Sequence, residues 1–415
     1  MKISHSVTCL FLLITMLEGT VLFAQNTMSP YSIFGPGELM PKGFGRNIGM
    51  GRAGLAVKSD NRLNSLNPAS YSGIEKEHFI FEIGIDGKYS GFKSNNDDMN
   101  GLNGGLRYLA VGFRYTSWWS TSMGLSPYTS VGFNINNQNN VEGSLLNYTS
   151  SFKGSGGITK AYWANSLKLT DNLFLGINSS FLFGPLTREE NITQSDLGVD
   201  YIITQNDYLR SFYFDYGLQY SFQVKKRDYS LGVTFANKQS LRANHTFVLQ
   251  NSDFSTISEE EQLSNITIPQ TLGIGFSINE PGKFLLAVDY RTEKWAGLKY
   301  PVMSGGFVNA HNFLAGIEIR PWRESITNMF YQNWAYRLGA SYNSSYLKLR
   351  NIVIGGYAVN VGAGIPLRNH GSTMNIAFEA GVNGTTANSL IRERYLLIHL
   401  NFSINELWFM KRKIY

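Results

Sequence analysis

Residues 212–236 read FYFDYGLQYSFQVKKRDYSLGVTFA, and this stretch decides the fold. Large apolar side chains occupy every second position from Phe212 to Phe222, with small or polar side chains between them. After a charged break at 225–228, the same alternation resumes at Tyr229. A period of two residues is that of a β-strand, so the stretch predicts two antiparallel strands joined by a hairpin turn.

The same alternation recurs between residues 79 and 402 and predicts fourteen strands in total. A sheet packed on a soluble core would alternate in the same way. Repetition through nearly the whole chain instead favours an all-β transmembrane antiparallel β-barrel, with an apolar outside and a polar or small-residue inside. The even count agrees with that of single-chain bacterial barrels.

The connections between the predicted strands alternate in length. Short turns belong on the periplasmic side of such barrels and long loops on the outside. Residues 136–157, 184–208 and 251–265 are polar and are therefore expected to be extracellular loops. This topology predicts a bacterial outer-membrane protein with both termini in the periplasm.

Composition supports the membrane interpretation and disfavours several others. Of 415 residues, 16% are charged and 14% aromatic, and the formal net charge is +6. The Lys and Arg residues form no basic stripe, so a nucleic-acid partner is not expected. Residues 1–24 are predicted to be a signal peptide; a membrane anchor would need a longer apolar run without Glu18. Cys9, the only cysteine, lies in that segment.

The chain divides into further segments beyond residue 24. Residues 25–75 do not alternate and are rich in Gly and Pro, which predicts a hatch or plug packed inside the barrel. The barrel is expected over 76–405, and residues 406–415 form a basic and aromatic periplasmic tail. The spacing of the hatch glycines matches the dinucleotide-binding sequence motif, but no predicted strand precedes them. Close packing of the hatch backbone is therefore the better interpretation.

Charged residues of both signs are predicted to face the barrel interior. Glu318, Arg337 and Glu379 are examples. Such charges usually pair with each other and brace the wall, which is the interpretation we favour. The alternative is a path for a substrate or ion, and the sequence leaves it open.

No enzymatic chemistry is indicated. The histidines lack metal-ligand spacing, and no nucleophile elbow occurs, so we expect no catalytic residue, metal or cofactor. The acidic run Glu259–Glu261 is expected to be a solvated loop. The alternative for this run is contact with lipopolysaccharide through a divalent cation. The expected surroundings of the barrel are outer-membrane lipid and lipopolysaccharide.

Two short motifs give a family resemblance. Residues 47–56, NIGMGRAGLA, followed by Asn67-Pro68-Ala69, resemble the N-terminal hatch of the FadL/TodX outer-membrane transporters. That family combines such a hatch with a fourteen-stranded barrel. Residues 401–415 resemble the Bacteroidota members of the group.

The resemblance implies passive transport of hydrophobic small molecules, such as long-chain fatty acids, with lateral release beside a kinked third strand. It implies a gating hatch formed by two motifs. The first consists of the glycines Gly49, Gly51 and Gly54, and the second of the tripeptide Asn67, Pro68 and Ala69. The lateral-opening candidates are Gly124, Ser126 and Pro127. Proline supplies no N–H to the ladder, which gives the kink a chemical cause. A bulge without function near the barrel rim would have the same sequence.

Two other functions stay open. Bacteroidota members of this group include barrels that serve protein export or assembly. A non-transporting barrel subunit or scaffold of an outer-membrane protein secretion or assembly complex is therefore the alternative, with envelope proteins as partners. The inward residues of predicted strands two to five are largely Gly, Ser, Asn, Lys and Arg, without an apolar pocket, which disfavours a fatty-acid ligand. A soluble all-β adhesin is the third hypothesis.

Overall fold

The structure is a computed structural model that describes residues 29–408, except 96, 141–146, 195–198, 252, 254, 299, 301–305, 322–329 and 368–370. The predicted signal peptide at 1–24 and tail residues 409–415 therefore lie outside the described residues. No helix in the described part of the chain is long and apolar enough to cross a membrane.

The described residues contain one short α-helix, α1 (Gly45–Gly49), and 3-10 turns at Pro30–Ile33, Pro68–Gly73, Phe330–Asn333 and Ala387–Ser389. The strands in chain order are β1 (Glu38–Leu39), β2 (His78–Lys93), β3 (Asp98–Arg114), β4 (Trp119–Pro127), β5 (Thr129–Ser130), β6 (Phe133–Asn140), β7 (Asn147–Gly156), β8 (Thr159–Lys168), β9 (Leu173–Gln194), β10 (Val199–Val224), β11 (Arg227–Ala236), β12 (Gln239–Asn251), β13 (Thr256–Ile268), β14 (Thr271–Glu280), β15 (Phe284–Glu293), β16 (Gly306–Phe307), β17 (Ala310–Ile319), β18 (Ala335–Leu349), β19 (Ile352–Pro366), β20 (Thr373–Gly384) and β21 (Arg392–Leu407).

Fourteen antiparallel strands form a closed barrel, which confirms the predicted fold. The wall strands are β2, β3, β4, β8, β9, β10, β11, β14, β15, β17, β18, β19, β20 and β21. The barrel closes where β2 pairs with β21, from His78 opposite Leu407 to Lys93 opposite Arg392.

The alternation determines which side of the wall each residue faces. Phe212 in β10 and Leu338 in β18 are 65% and 53% exposed on the outer surface. Gln219 in β10 and Arg337 in β18 are buried in the lumen. Because large apolar side chains repeat on the outer face of all these strands, the barrel presents an apolar belt to its surroundings.

Most of the described residues of the polar connections form strands, so their prediction as loops was wrong for these residues. β6 pairs with β7, β7 with the upper part of β9, β9 with β10, β10 with β12, and β12 with β13. These pairings build a six-stranded sheet that continues the wall beyond the apolar belt. Beyond the apolar belt the side chains of these strands are mostly polar and partly exposed, so the apolar alternation that marks the barrel is missing there.

The two ends of the described chain lie at opposite ends of the barrel. The Tyr31 hydroxyl donates to the carbonyl oxygen of Ile391 at 2.5 Å, just before β21 begins. Leu407 lies at the other end of β21, beside His78. The described chain therefore begins at the end of the barrel that carries the long hairpins, whereas the two termini, predicted to face the periplasm, lie outside the described residues.

Candidate functional site

The hatch, residues 40–77, fills the middle of the lumen and packs backbone to backbone against the wall. Wall glycines provide the space for it. A Cβ at any of them would collide with hatch atoms, or at Gly362 come within 2.9 Å of Gly49 Cα. These glycines are Gly176, Gly217, Gly232, Gly275, Gly316, Gly339 and Gly362.

Three cross-strand pairs supply most of these contacts. Gly176 lies opposite Gly217, Gly232 opposite Gly275, and Gly316 opposite Gly339. Glycine is the residue that permits close backbone approach in a strand. The inner wall is therefore shaped for this hatch, a feature that the sequence analysis missed because it treated inward glycines only as small residues.

The first predicted hatch motif packs against β17, β18 and β19. Gly49 lies beside Arg337 and Gly362, and Gly51 lies against the backbone of Ala315 and Ala340. Gly51 has φ +63°, a conformation that glycine adopts without steric cost. The structure thus brings the two glycines together at one side of the lumen.

Polar groups of the wall bind the hatch backbone near the third glycine. The Asp289 carboxylate accepts hydrogen bonds from the amides of Gly54 at 2.8 Å and Leu55 at 3.0 Å. Gln219 donates to the Leu55 carbonyl at 3.1 Å. Hydrogen bonds to a buried carboxylate are stronger than those between neutral groups, so this contact anchors the hatch.

The second predicted motif, Asn67-Pro68-Ala69, begins a 3-10 turn. The Asn67 side chain accepts from the Ala69 amide at 3.0 Å and donates to the Leu55 and Leu218 carbonyls at 2.9 and 3.2 Å. Pro68 occupies the first position of the turn, where no amide donor is needed. Asn67 thus links the two motifs and the wall.

An ion network joins the hatch to the wall. Arg46 of α1 contacts Glu318 in β17 at 3.2 Å, and Arg337 in β18 contacts the same carboxylate at 2.7 Å. Arg52 contacts Glu379 at 3.0 Å. The inward charges therefore pair with each other, as the favoured interpretation predicted, but hatch residues supply part of the pairing.

Asp60 of the hatch lies at the end of this network that is nearest to the short turns of the barrel, such as residues 280–283. It contacts Arg62 at 3.2 Å and Arg46 at 3.4 Å, and its side chain is 43% exposed. Partial burial alone would raise the pKa of Asp60, but the two guanidinium groups outweigh it and hold the pKa below its usual value.

The wall has a gap between β3 and the strand that follows it. β3 pairs with β4 only from Arg114 to Leu109, opposite Ser120 to Leu125. The upper part of β3, residues 98–108, pairs with β2 alone among the described residues. β6 likewise pairs only with β7 in the described part of the chain. Among the described residues, no strand pairing therefore joins the upper part of β3 to β6.

A bulge and an inward turn accompany this gap. Tyr108 pairs with Gly84 and Leu106 with Ile85, which leaves Arg107 as the extra residue. Arg107 and Tyr108 are consequently both buried in the lumen. On the opposite edge, the chain turns inward after Pro127, and β5 pairs with β1 inside the barrel.

A cavity of about 820 Å³ lies above the hatch and meets both edges of the gap. Residues 104–107 line it from β3, and residues 126–130 line it from the other edge. Aromatic side chains contribute Phe44, Tyr71 and Tyr162. Phe44 stacks on Tyr108 with ring centroids 3.7 Å apart. The cavity therefore combines an aromatic floor with a side opening.

The three lateral-opening candidates separate in the structure. Gly124 pairs with Ala110 inside the intact β3–β4 ladder, so it does not border the gap. Ser126 and Pro127 lie beyond the last paired residue, Leu125, although they still pair with β8. Pro127 lies two residues beyond the end of the β3–β4 pairing, and its role in a lateral opening stays a prediction.

Comparison with known proteins places the chain in a family. A family model described as BamG matches residues 6–415. The chain belongs to the BamG family. No curated protein matches this BamG-family chain.

Solved structures similar to this BamG-family barrel include a FadL homologue from Pseudomonas aeruginosa, which has 10% sequence identity and a TM-score of 0.61. The alignment with this homologue covers 90% of this chain and 100% of that chain. The Pseudomonas putida toluene transporter TodX has 15% sequence identity and a TM-score of 0.56, and the alignment covers 91% of this chain and 100% of that chain. The CymD monoaromatic hydrocarbon channel has 13% identity, 88% and 97% coverage, and a TM-score of 0.57. At these identities the likeness shows a FadL-type barrel fold.

Proposed function

We propose that this barrel is a bacterial outer-membrane channel that passes small hydrophobic molecules sideways. Molecules enter the upper cavity from the end with the long hairpins and leave through the gap between β3 and the β4–β6 edge. The observation that carries the proposal is the continuity of cavity and gap, since residues 104–107 and 126–130 border both.

The hatch supports the sideways route over an axial one. Its backbone lies against wall glycines, and Asp289, Glu318 and Glu379 bind it at three points around the lumen. Removing one partner of such a buried ion pair costs about 3–5 kcal/mol, so displacement of the hatch at each passage would be slow. Transport is passive in this proposal, and the hatch acts as a fixed floor.

The hydrophobic class of substrate is supported by the aromatic floor of the cavity, and toluene is named for the solved TodX barrel. The family resemblance adds long-chain fatty acids. Lateral exit suits apolar molecules, because the membrane interior receives them without desolvation cost.

A gap-filling variant tests the proposal. Gly105 borders the gap, and a Cβ at this position meets nothing within 4 Å. Gly105→Trp should therefore fill the gap without a clash. Gly306→Trp is the matched control, because Gly306 also has open space and does not line the cavity.

The measurement is the initial rate of uptake of labelled toluene and oleate across bilayers whose outer leaflet is lipopolysaccharide. The proposal predicts a loss of protein-dependent uptake in Gly105→Trp but not in Gly306→Trp. Equal rates in both variants and in the wild type would refute the lateral route. Rates equal to those of protein-free membranes in all samples would refute transport itself.

The second candidate function is that of a barrel subunit in an outer-membrane secretion or assembly complex. The charged residues that line the cavity favour it. Asp86, Lys88, Arg107, Glu379 and Glu393 all line it. Charged groups make a costly surface for an apolar ligand. This candidate predicts co-purification with other envelope proteins after mild detergent extraction, whereas a monomer carrying bound lipid would contradict it.

A further inference from the structure

Two arginines occupy neighbouring positions on the outer surface of the barrel, where β10 and β12 meet. Leu209 in β10 pairs with Ala243 in β12, and both of these side chains are buried. Arg210 follows Leu209, and Arg242 precedes Ala243, so each arginine lies one step along its strand from that pair. Successive side chains of a strand point to opposite faces. Arg210 and Arg242 therefore lie on the outer face, and both are exposed.

The two strands stay adjacent on the other side of these arginines. The Gln239 side chain in β12 accepts a hydrogen bond from the Phe214 amide at 3.1 Å and donates one to the Phe214 carbonyl at 3.0 Å. Strand contacts thus bracket Arg210 and Arg242, which makes the two arginines cross-strand neighbours. The Cβ atoms of such neighbours are about 5 Å apart, and like charges at this separation destabilise a sheet.

No protein group balances this pair of charges. Neither guanidinium forms a hydrogen bond or an ion pair within the part of the chain that the structure describes. The first outward-facing carboxylate along β12 and β13 is that of Glu261, which pairs with Thr246. Thr246 lies four residues from Arg242, which is about 14 Å along the strand. The arginines therefore form a cationic site that lacks a counter-charge of its own.

The arginines lie at the border of the apolar belt. The outward side chains of β10 from Phe212 to Phe222 are all aromatic or aliphatic and exposed. Ten residue steps of a strand tilted by about 40° span about 25 Å, which is the height of the apolar band of an outer-membrane barrel. Arg210 is the next outward residue beyond Phe212. Lipid headgroups are therefore at the level of the two arginines, and acyl chains are at the level of Phe212.

We infer that Arg210 and Arg242 form a binding site for a phosphate group of a membrane glycolipid, whose acyl chains pack against Phe212. A guanidinium group matches the geometry of a phosphate with two parallel hydrogen bonds, and a phosphate placed between two guanidinium groups balances both charges. The site lies at the end of the barrel with the long hairpins, which is predicted to be extracellular. The phosphorylated glycolipid of that leaflet is lipopolysaccharide. The inference requires that the belt lies in a membrane and is independent of transport.

A double variant, Arg210→Gln with Arg242→Gln, removes both charges. It breaks no contact within the described part of the chain, so the barrel should fold as the wild type does. The matched control is Lys225→Gln with Lys226→Gln. These two lysines are exposed in the turn at the other end of β10, so the control removes the same charge from the opposite border of the belt.

Binding is measured by native mass spectrometry of the full-length protein in an uncharged detergent. The probe is lipid A with two phosphate groups, the membrane-embedded part of lipopolysaccharide, and its fraction bound is recorded as a function of concentration. The same lipid without its phosphate groups is the comparison ligand. Inorganic phosphate in excess over the lipid is the competitor.

We expect the Kd for phosphorylated lipid A to rise about tenfold or more in the arginine variant and to stay within about twofold in the lysine control. The wild type should bind the dephosphorylated lipid at least about tenfold more weakly. Equal affinities of the arginine variant and the wild type would overturn the site. Equal affinities for the two lipids would overturn recognition of phosphate, and complete displacement by inorganic phosphate would overturn a lipid as the occupant.

Discussion

The Arg46 guanidinium of the hatch forms a two-point contact with the Glu318 carboxylate of the wall, with Nε 3.2 Å from Oε2 and Nη2 3.3 Å from Oε1. These residues are 272 positions apart in the chain. Arg337 binds the same carboxylate at 2.7 Å, and Arg62 lies 4.0 Å away. One buried carboxylate therefore balances several cations, which makes Glu318 the electrostatic centre of the hatch contact.

Glu318→Gln should destabilise the protein by about 3–5 kcal/mol, because it leaves buried guanidinium groups without their counter-charge. The measurement is the free energy of unfolding in urea, with the protein in detergent. Asp171→Asn is the control, since the Asp171 side chain is 93% exposed in its pair with Lys168, and such pairs contribute about 0–1 kcal/mol. Equal losses in the two variants would contradict the assigned role of Glu318.

Gly339→Val should displace the hatch, because a side chain at this position would occupy the space of the Met50–Gly51 backbone. The expected result is larger and more frequent conductance steps in planar bilayers than in the wild type. Gly87→Val is the control, because a Cβ at Gly87 meets nothing within 4 Å. If Gly339→Val conducts as little as the control, the wall glycines do not hold the hatch.

Acid should loosen the hatch at Asp60. Its folded-state pKa lies below the ordinary value of 3.8, so its contribution to stability is present above about pH 3.8 and is lost as pH falls through the folded pKa. The change in the thermal unfolding midpoint between pH 6 and pH 3 should be smaller in Asp60→Asn than in the wild type. High salt should reduce the difference, because the side chain is 43% exposed. An identical acid response in wild type and variant would exclude this role.

Pro127→Ala should leave the gap open. The substitution restores an N–H donor at the end of β4, but the inward turn is also held by β1, opposite Thr129 and Ser130. The electron–electron distance between spin labels attached at Leu102→Cys and Asn134→Cys, recorded in lipid nanodiscs, should therefore be the same with and without Pro127→Ala. A shortened distance would show that the missing donor alone keeps the edges apart.

Much of the fold could be predicted from the sequence because lipid contact imposes a strict pattern. Phe212, Leu218 and Leu338 lie on the outer face, and Glu318 and Arg337 in the lumen, as their alternation predicted. The upper hairpins could not be predicted in this way. Thr204 in β10 pairs with Glu189 in β9 and Val248 in β12, in a sheet that follows no apolar period.

The site was less accessible to sequence reasoning. The Gly- and Pro-rich composition of residues 25–75 and the family resemblance of two short motifs predicted a packed segment here, because small residues have a local signature. The contacts of Arg52 with Glu379 and of Gly54 with Asp289 join residues 327 and 235 positions apart, so they depend on barrel register. Trp295 is buried against Tyr346 at a centroid distance of 4.3 Å. The sequence contains no local signal for that contact.

In the proposed function, substrate leaves the cavity through the gap beside β3. Gly105→Cys allows the gap to be blocked reversibly in one sample, by a bulky methanethiosulfonate reagent and then by a reductant, with Gly306→Cys as the control. Uptake of labelled toluene should fall when Gly105→Cys is modified, recover after reduction, and stay constant in Gly306→Cys. Full uptake through quantitatively modified Gly105→Cys would contradict it.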